Sequence, residues 1–131
     1  MGEAVARPLT LDTGALIALE RRVGRFYALM LQAHQQGRVI HIPTTALAQA
    51  WRGAGPRMAP LSRLLKQPTV VVAPLGQAEA QAVGRLCAAR GTTDIVDAHV
   101  ALVARATGSL LVTSDPDDLQ RLDPALPILA L

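Results

Sequence analysis

Aromatic side chains are almost missing from this sequence. Phe26, Tyr27 and Trp51 are the only three in 131 residues, and Ala, Leu and Val fill the apolar positions instead. That composition favours helices over an all-β sandwich. Cysteine is nearly as scarce. Cys87 stands alone, which excludes an intrachain disulfide and a cysteine-based zinc site. No apolar run approaches the roughly 18 residues a membrane helix needs. The first ten residues carry an acid, Glu3, where a secretory signal carries base, and they have no apolar segment. A soluble, cytoplasmic protein is expected. Charged residues make up only 18% against 50% hydrophobic, which excludes intrinsic disorder. A chain of this length reads as a single domain over residues 1–131, able to bury about two-thirds of its unfolded surface.

The charge is unevenly placed. Residues 1–93 hold eleven bases and four acids, a net of +7, whereas residues 94–131 hold six acids and two bases, a net of −4. All six late acids are Asp, at 94, 97, 115, 117, 118 and 123, and twelve of the thirteen bases are Arg. Arg suits forked contacts to phosphate. Scattered Arg also simply solvates helix faces, and composition alone leaves both readings open. A basic body beside an acidic cluster suits a metal-dependent enzyme acting on a polyanion.

The apolar pattern alternates between strands and helices. Residues 8–11 read as a buried strand that breaks at Asp12-Thr13-Gly14, and residues 13–22 and 25–36 as helices, the second stopped by Gly37. Residues 38–42 form a second strand, and Pro43 opens a helix running to about Arg52 with proline in its first turn. A breaker-rich loop at 53–60 precedes a short helix at 61–66. Residues 69–75 form a third strand without alternation, as for one buried on both faces. Helices at 77–90 and 94–107 end at Gly91 and Gly108. A fourth strand covers 109–113, a short helix 115–122 and a last strand 126–131. The order predicts an α/β fold with a largely parallel sheet covered on both faces. Cys87 falls on an apolar helix face as a core thiol.

Common catalytic signatures are absent: no phosphate-binding GxxxxGK[ST], no GxGxxG and no GxSxG. His34, His41 and His99 are isolated and read as structural or solvated; Asp97 and His99, two apart on a helix, diverge. Aspartate remains. Asp12 follows the first strand, Asp94 and Asp97 open a helix three residues apart, and Asp115 and Asp117 follow the fourth strand. Taken singly, each has a capping role: Asp12 and Asp94 as N-caps, and Asp115-Pro116-Asp117-Asp118 as an N-cap, a first-position proline and first-turn acids. Taken together they imply more. In a parallel sheet, residues just past the strand ends collect along one edge. Two carboxylates about 5 Å apart repel by roughly 3 kcal/mol at an effective dielectric near 20. A cluster of them therefore wants a cation or a trapped proton. An all-oxygen set points to a hard ion, Mg²⁺ or Mn²⁺, which activates water and stabilises charge on a scissile phosphate.

Four segments in order, LDTGALIALERR, IPTTALAQAWRG, GTTDIVDAHVALVARATG and LLVTSDPDDLQRL, resemble the PIN-domain ribonucleases, and in particular VapC-type toxins of bacterial toxin–antitoxin systems. The resemblance spans essentially the whole chain. It implies a three-layer α/β/α sandwich around a mostly parallel sheet of four to five strands, and Mg²⁺-dependent cleavage of RNA, with Mn²⁺ as substitute. Asp12 matches the acid ending the family's first strand, Asp97 the acid of its D-A-x-x-A helix, Asp115 the acid after its late strand, and Asp117 a further acid two residues on. Asp12, Asp97, Asp115 and Asp117 are thus the expected metal ligands, and Asp12, Asp94, Asp97 and Asp115 the expected catalytic acids. The sequence departs from the family where a Glu usually follows in a P-x-x-x-L-x-E arrangement: PTTALAQ places Gln49 there. Gln positions a water or phosphate oxygen but cannot neutralise a metal. Either Asp94 supplies the missing charge, or the site binds metal weakly and the protein acts by binding RNA or a partner protein.

Gln49, Arg52 and Thr113 are candidate substrate contacts, with Arg52 equally readable as solvated surface, and Thr113 and Ser114 as groups that orient Asp115. An aspartyl phosphotransferase is the rival enzyme, since Asp12 ends the first strand as such nucleophiles do, but the second acid expected two residues on is Gly14. The resemblance further implies a homodimer neutralised by a cognate antitoxin, with the apolar helices at 13–36 as contact surfaces.

Overall fold

The computed structural model describes residues 6–131. Its first strand, β1 (Leu9–Leu11), is wholly buried, as an apolar run without alternation should be in the middle of a parallel sheet. Asp12 ends it and caps α1 (Thr13–Glu20). The helix stops two residues earlier than the charge pattern suggests, because Arg22 takes a left-handed conformation, φ 58°, and turns the chain into α2 (Gly24–Gln35). β2 (Ile40–Pro43) runs directly into α3 (Thr44–Ala50). Pro43 is therefore the last residue of the strand and the residue before the helix, rather than part of its first turn. A 3₁₀ turn at Pro56–Met58 leads into α4 (Ala59–Leu65), then β3 (Val70–Ala73) and α5 (Gln77–Arg90). α6 (Ile95–Thr107), β4 (Leu110–Thr113), α7 (Pro116–Leu122) and β5 (Ile128–Ala130) complete the chain. Gly91 and Gly108 close α5 and α6 in the left-handed conformation that a side chain would oppose, as the sequence implied.

The five strands form one parallel sheet in the order β3-β2-β1-β4-β5. Right-handed crossovers put α1 to α4 on one face and α5 to α7 on the other. Most helix contacts follow this division, with α1 packed on α2, α3 and α4 and α6 on α5 and α7, while α3 also packs on α6. This is the α/β/α sandwich expected. Leu9, Leu11, Leu16, Phe26, Ile42, Leu111 and Val112 are fully buried at its centre.

One expectation fails at the sheet edge. β3 is not buried on both faces: Val71 and Val72 are 46% and 40% exposed, because β3 is the outermost strand of the sheet. Cys87 does lie in the core, packed with Val83 and Ala98. Among the described residues no helix is long and apolar enough to cross a membrane.

Candidate active site

The strand order turns at β1. The connection from β1 leads to β2 on one side, while β4, its other neighbour, leads to β5 on the opposite side. Loops that diverge from adjacent strands open a crevice at their carboxyl ends, the usual position of a site in such sheets. Asp12 leaves β1 at this crevice and Asp115 leaves β4.

Asp12 is buried, 4% exposed. One carboxylate oxygen accepts the Ala15 backbone N–H at 2.8 Å, which caps α1, and the other accepts the Thr113 hydroxyl. Thr113 Oγ1 in turn accepts the Asp115 backbone N–H at 2.8 Å. Burial raises the Asp12 pKa from its ordinary value, aided by the Asp115 charge, although the bonds from Thr113 and Ala15 oppose the rise. The close approach of these loops explains Gly14. A Cβ there would stand 1.9 Å from Ser114 Oγ and 2.9 Å from its Cβ, so a side chain at that position requires Ser114 to move. The second acid a phosphotransferase would need at this position is absent, and Ser114 occupies the space beside it.

α6 brings the next two acids. Asp94 is its N-cap, accepting the Asp97 backbone N–H at 2.9 Å. Asp97, half-buried on the first turn, has its pKa pushed up to about 7, first by burial, then by the charge of Asp94 and a bond with it, then by Asp12 and Asp118. Asp97 thus faces both the strand-end acid and α7. Asp115 occupies the N-cap position of α7 but makes no side-chain cap bond; its role as a helix cap does not hold. Its pKa is raised by desolvation, by the charge of Asp118 and a bond with it, and by Asp117, while Arg121 lowers it.

In the sequence Asp118 reads only as a first-turn helix acid and not as a site residue. It lines a cleft of about 300 Å³ with Asp94 and Asp97, whereas exposed Asp117 does not line it. Helical phase carried the signal: Asp118 lies three residues from Asp115, one turn along the same face, and Asp117 only two. Gln49, exposed on the last turn of α3, accepts the Thr13 hydroxyl at 2.8 Å, so it stands beside the residue that follows Asp12. Arg52 is exposed beyond α3 and forms no ion pair among the described residues. Thr113 is a correction to the expected substrate contacts: it is fully buried and its hydroxyl is used within the site, so it positions Asp12 and Asp115 rather than meeting substrate. His99 points away from the acids, its Nδ1 2.7 Å from Thr45 Oγ1 on α3.

Among the described residues none of Asp12, Asp94, Asp97 and Asp115 has an ion-pair partner. Their crowding, with the pKa values of Asp12, Asp97 and Asp115 raised and only Asp118 paired, to Arg121, marks a site with more negative than positive charge. No three of the described carboxylates stand close enough to form a closed metal cage. Mg²⁺ rarely uses one: it keeps several waters and takes one or two carboxylates together with substrate phosphate. The open all-oxygen set fits an ion of that kind.

A family model described as PIN domain matches residues 9–124. No protein of curated function matches the sequence. The fold is similar to a chain of VapBC2 from Rickettsia felis bound to a DNA fragment from their promoter, with TM-score 0.70 and 17% identity over 94% of this chain and 98% of that one. It is also similar to a chain of FitAB bound to a DNA fragment, with TM-score 0.63 and 12% identity over 93% and 94% of the two chains. A chain of FitAcB from Neisseria gonorrhoeae aligns with TM-score 0.59 and 16% identity over 92% and 96%.

Proposed function

The chain belongs to the PIN-domain family, and on that premise we propose that it is a metal-dependent endoribonuclease that serves as the toxin of a toxin–antitoxin pair in the cytoplasm. The observation that carries the reading is Asp97: it is half-buried, feels the charges of Asp94, Asp12 and Asp118, and forms no ion pair among the described residues. Mg²⁺, or Mn²⁺ in its place, would be held by one or two carboxylates drawn from Asp12, Asp97 and Asp115 together with substrate phosphate, where it would supply charge neutralisation and an activated water for phosphodiester hydrolysis. The chain's own residues do the rest. Thr113 fixes the Asp12 carboxylate and the Asp115 backbone against each other. Asp94 holds the first turn of α6, and so the Asp97 backbone, in place. Asp117 and Asp118 add negative charge around Asp115.

The partner reading draws on two observations. The similar solved chains come from VapBC2, FitAB and FitAcB. On α2, Tyr27 and Leu31 are 50% and 57% exposed beside an apolar groove of about 280 Å³. A cognate antitoxin would cover such surface, and the toxin itself would be a homodimer. Co-expression with the product of the adjacent gene checks this, and absence of a stable complex counts against it.

The deciding experiment is cleavage of total cellular RNA by the purified protein with Mg²⁺, with EDTA, and with Asp97→Asn. Discrete Mg²⁺-dependent fragments, lost in a folded Asp97→Asn variant, establish the nuclease. RNA bound by folded protein but left intact moves the assignment to a binding module, the reading favoured by Gln49 in place of the acid on α3.

A further inference from the structure

We propose that Arg90 and Arg121 are the substrate-gripping pair of this site, holding two phosphates of a single-stranded RNA on either side of the carboxylate cleft. The inference rests on the nuclease reading above and names the residues that would hold its substrate. A strand carried to Asp94, Asp97 and Asp118 is repelled by them. A metal ion relieves that repulsion at one phosphate, and the neighbouring phosphates need fixed cations. Residues 94–131 contain only two bases. Arg105 turns away, 3.7 Å from Asp123. Arg121 alone of the two lines the cleft.

Its placement is defined. Arg121 Nη1 donates to Asp118 Oδ1 at 2.7 Å, one turn back on α7. An exposed pair of this kind adds little stability; its consequence is positional, since it holds the guanidinium beside the acids. The side chain stays 75% exposed, and a guanidinium has five donors, so most remain available to a second anion. Arg90, the last residue of α5, lines the same cleft and forms no ion pair among the described residues. The turn joining it to the acids is fixed: Gly91 is left-handed, the Thr92 N–H donates to the Cys87 carbonyl at 3.0 Å, and the Asp94 N–H donates to Thr92 Oγ1 at 3.1 Å. Forked donors from two helices then face one cleft, the arrangement that recognises phosphate oxygens. Both arginines also sit at helix C-terminal turns, where they offset the helix dipole. That role alone predicts no change in RNA binding when they are removed.

The test is anisotropy of a labelled single-stranded RNA oligonucleotide in EDTA, titrated against KCl, with circular dichroism confirming the fold of each variant. Removing one guanidinium that neutralises a phosphate should lower the slope of log K against log salt by about 0.7, so Arg90→Ala with Arg121→Ala should lower it by about 1.4. Arg121→Lys should retain the slope but bind more weakly. In Mg²⁺ the single alanine variants should raise KM more than they lower kcat. Unchanged slopes, or an equal change in Arg63→Ala on α4, overturn the assignment while RNA cleavage by the wild type leaves the nuclease standing. Wild-type protein that neither binds nor cleaves RNA overturns the nuclease reading, and the gripping pair with it.

Discussion

Thr113 and Asp12 lie 101 residues apart in the chain, yet the buried Thr113 hydroxyl donates to the Asp12 carboxylate while accepting the Asp115 backbone N–H at 2.8 Å. One hydroxyl thereby sets the distance between the acid that leaves β1 and the acid that leaves β4.

Thr113→Val keeps the shape of the side chain and removes this link. It leaves a buried Asp12 oxygen and the Asp115 N–H without their partner, which should cost about 1–3 kcal/mol. Thr113→Ser should recover most of it. Urea unfolding in EDTA measures the loss, and equal stability of the valine variant would refute the link.

Asp97 predicts a pH dependence of the metal-free fold. Its pKa is near 3.8 when unfolded and about 7 when folded, so the folded state holds the proton more tightly. The stability this contributes is fully present below pH 3.8 and is lost as pH rises through about 7. The raised pKa values of Asp12 and Asp115 act in the same direction. In EDTA the Tm should therefore fall between about pH 5 and about pH 8, and Asp97→Asn should flatten the profile. Mg²⁺ should restore the Tm at about pH 8, where the carboxylates are charged. A Tm that rises over this interval contradicts the assignment.

Gly14→Ala should destabilise the protein by about 1–3 kcal/mol, because the new methyl group collides with Ser114. Ser114→Gly removes both atoms met by that methyl, at 1.9 Å and 2.9 Å, and should rescue much of the loss. Thermal melts of the two single variants and the double variant give the coupling directly.

Gln49→Glu restores the acid that the family usually carries on α3. Its oxygen can still accept the Thr13 hydroxyl, which now reaches Gln49 Oε1 at 2.8 Å. Calorimetric Mg²⁺ affinity should rise about tenfold, the lower end of the range by which groups around a metal tune it. Affinity that falls or stays level would place Gln49 outside the metal's surroundings.

Much of the fold was legible because it is written in local pattern. Apolar runs gave the strands, glycine stops gave the ends of α5 and α6, and helices between every pair of successive strands gave a parallel sheet. The ends of β1 and β4 could be read directly, and with them the positions of Asp12 and Asp115. Other features were not local. The exposure of Val71 and Val72 follows from β3 being outermost, and nothing in the residues 70–73 distinguishes an edge strand from a central one. Asp117 and Asp118 are chemically identical neighbours, and only the rotation of α7 on the sheet decides that Asp118 reaches the cleft.

By itself, then, the sequence determined which segments are strands and helices and which acids stand at their ends. Those properties follow from the backbone period and from the conformations each residue permits. The tertiary structure alone decided that β1 pairs with β4 across a hundred residues, that Thr113 holds Asp12, and that Asp97 shares its surroundings with Asp118. Strand order and helix rotation are settled by which distant apolar faces bury each other best, and competition among non-local contacts leaves no mark on any single segment.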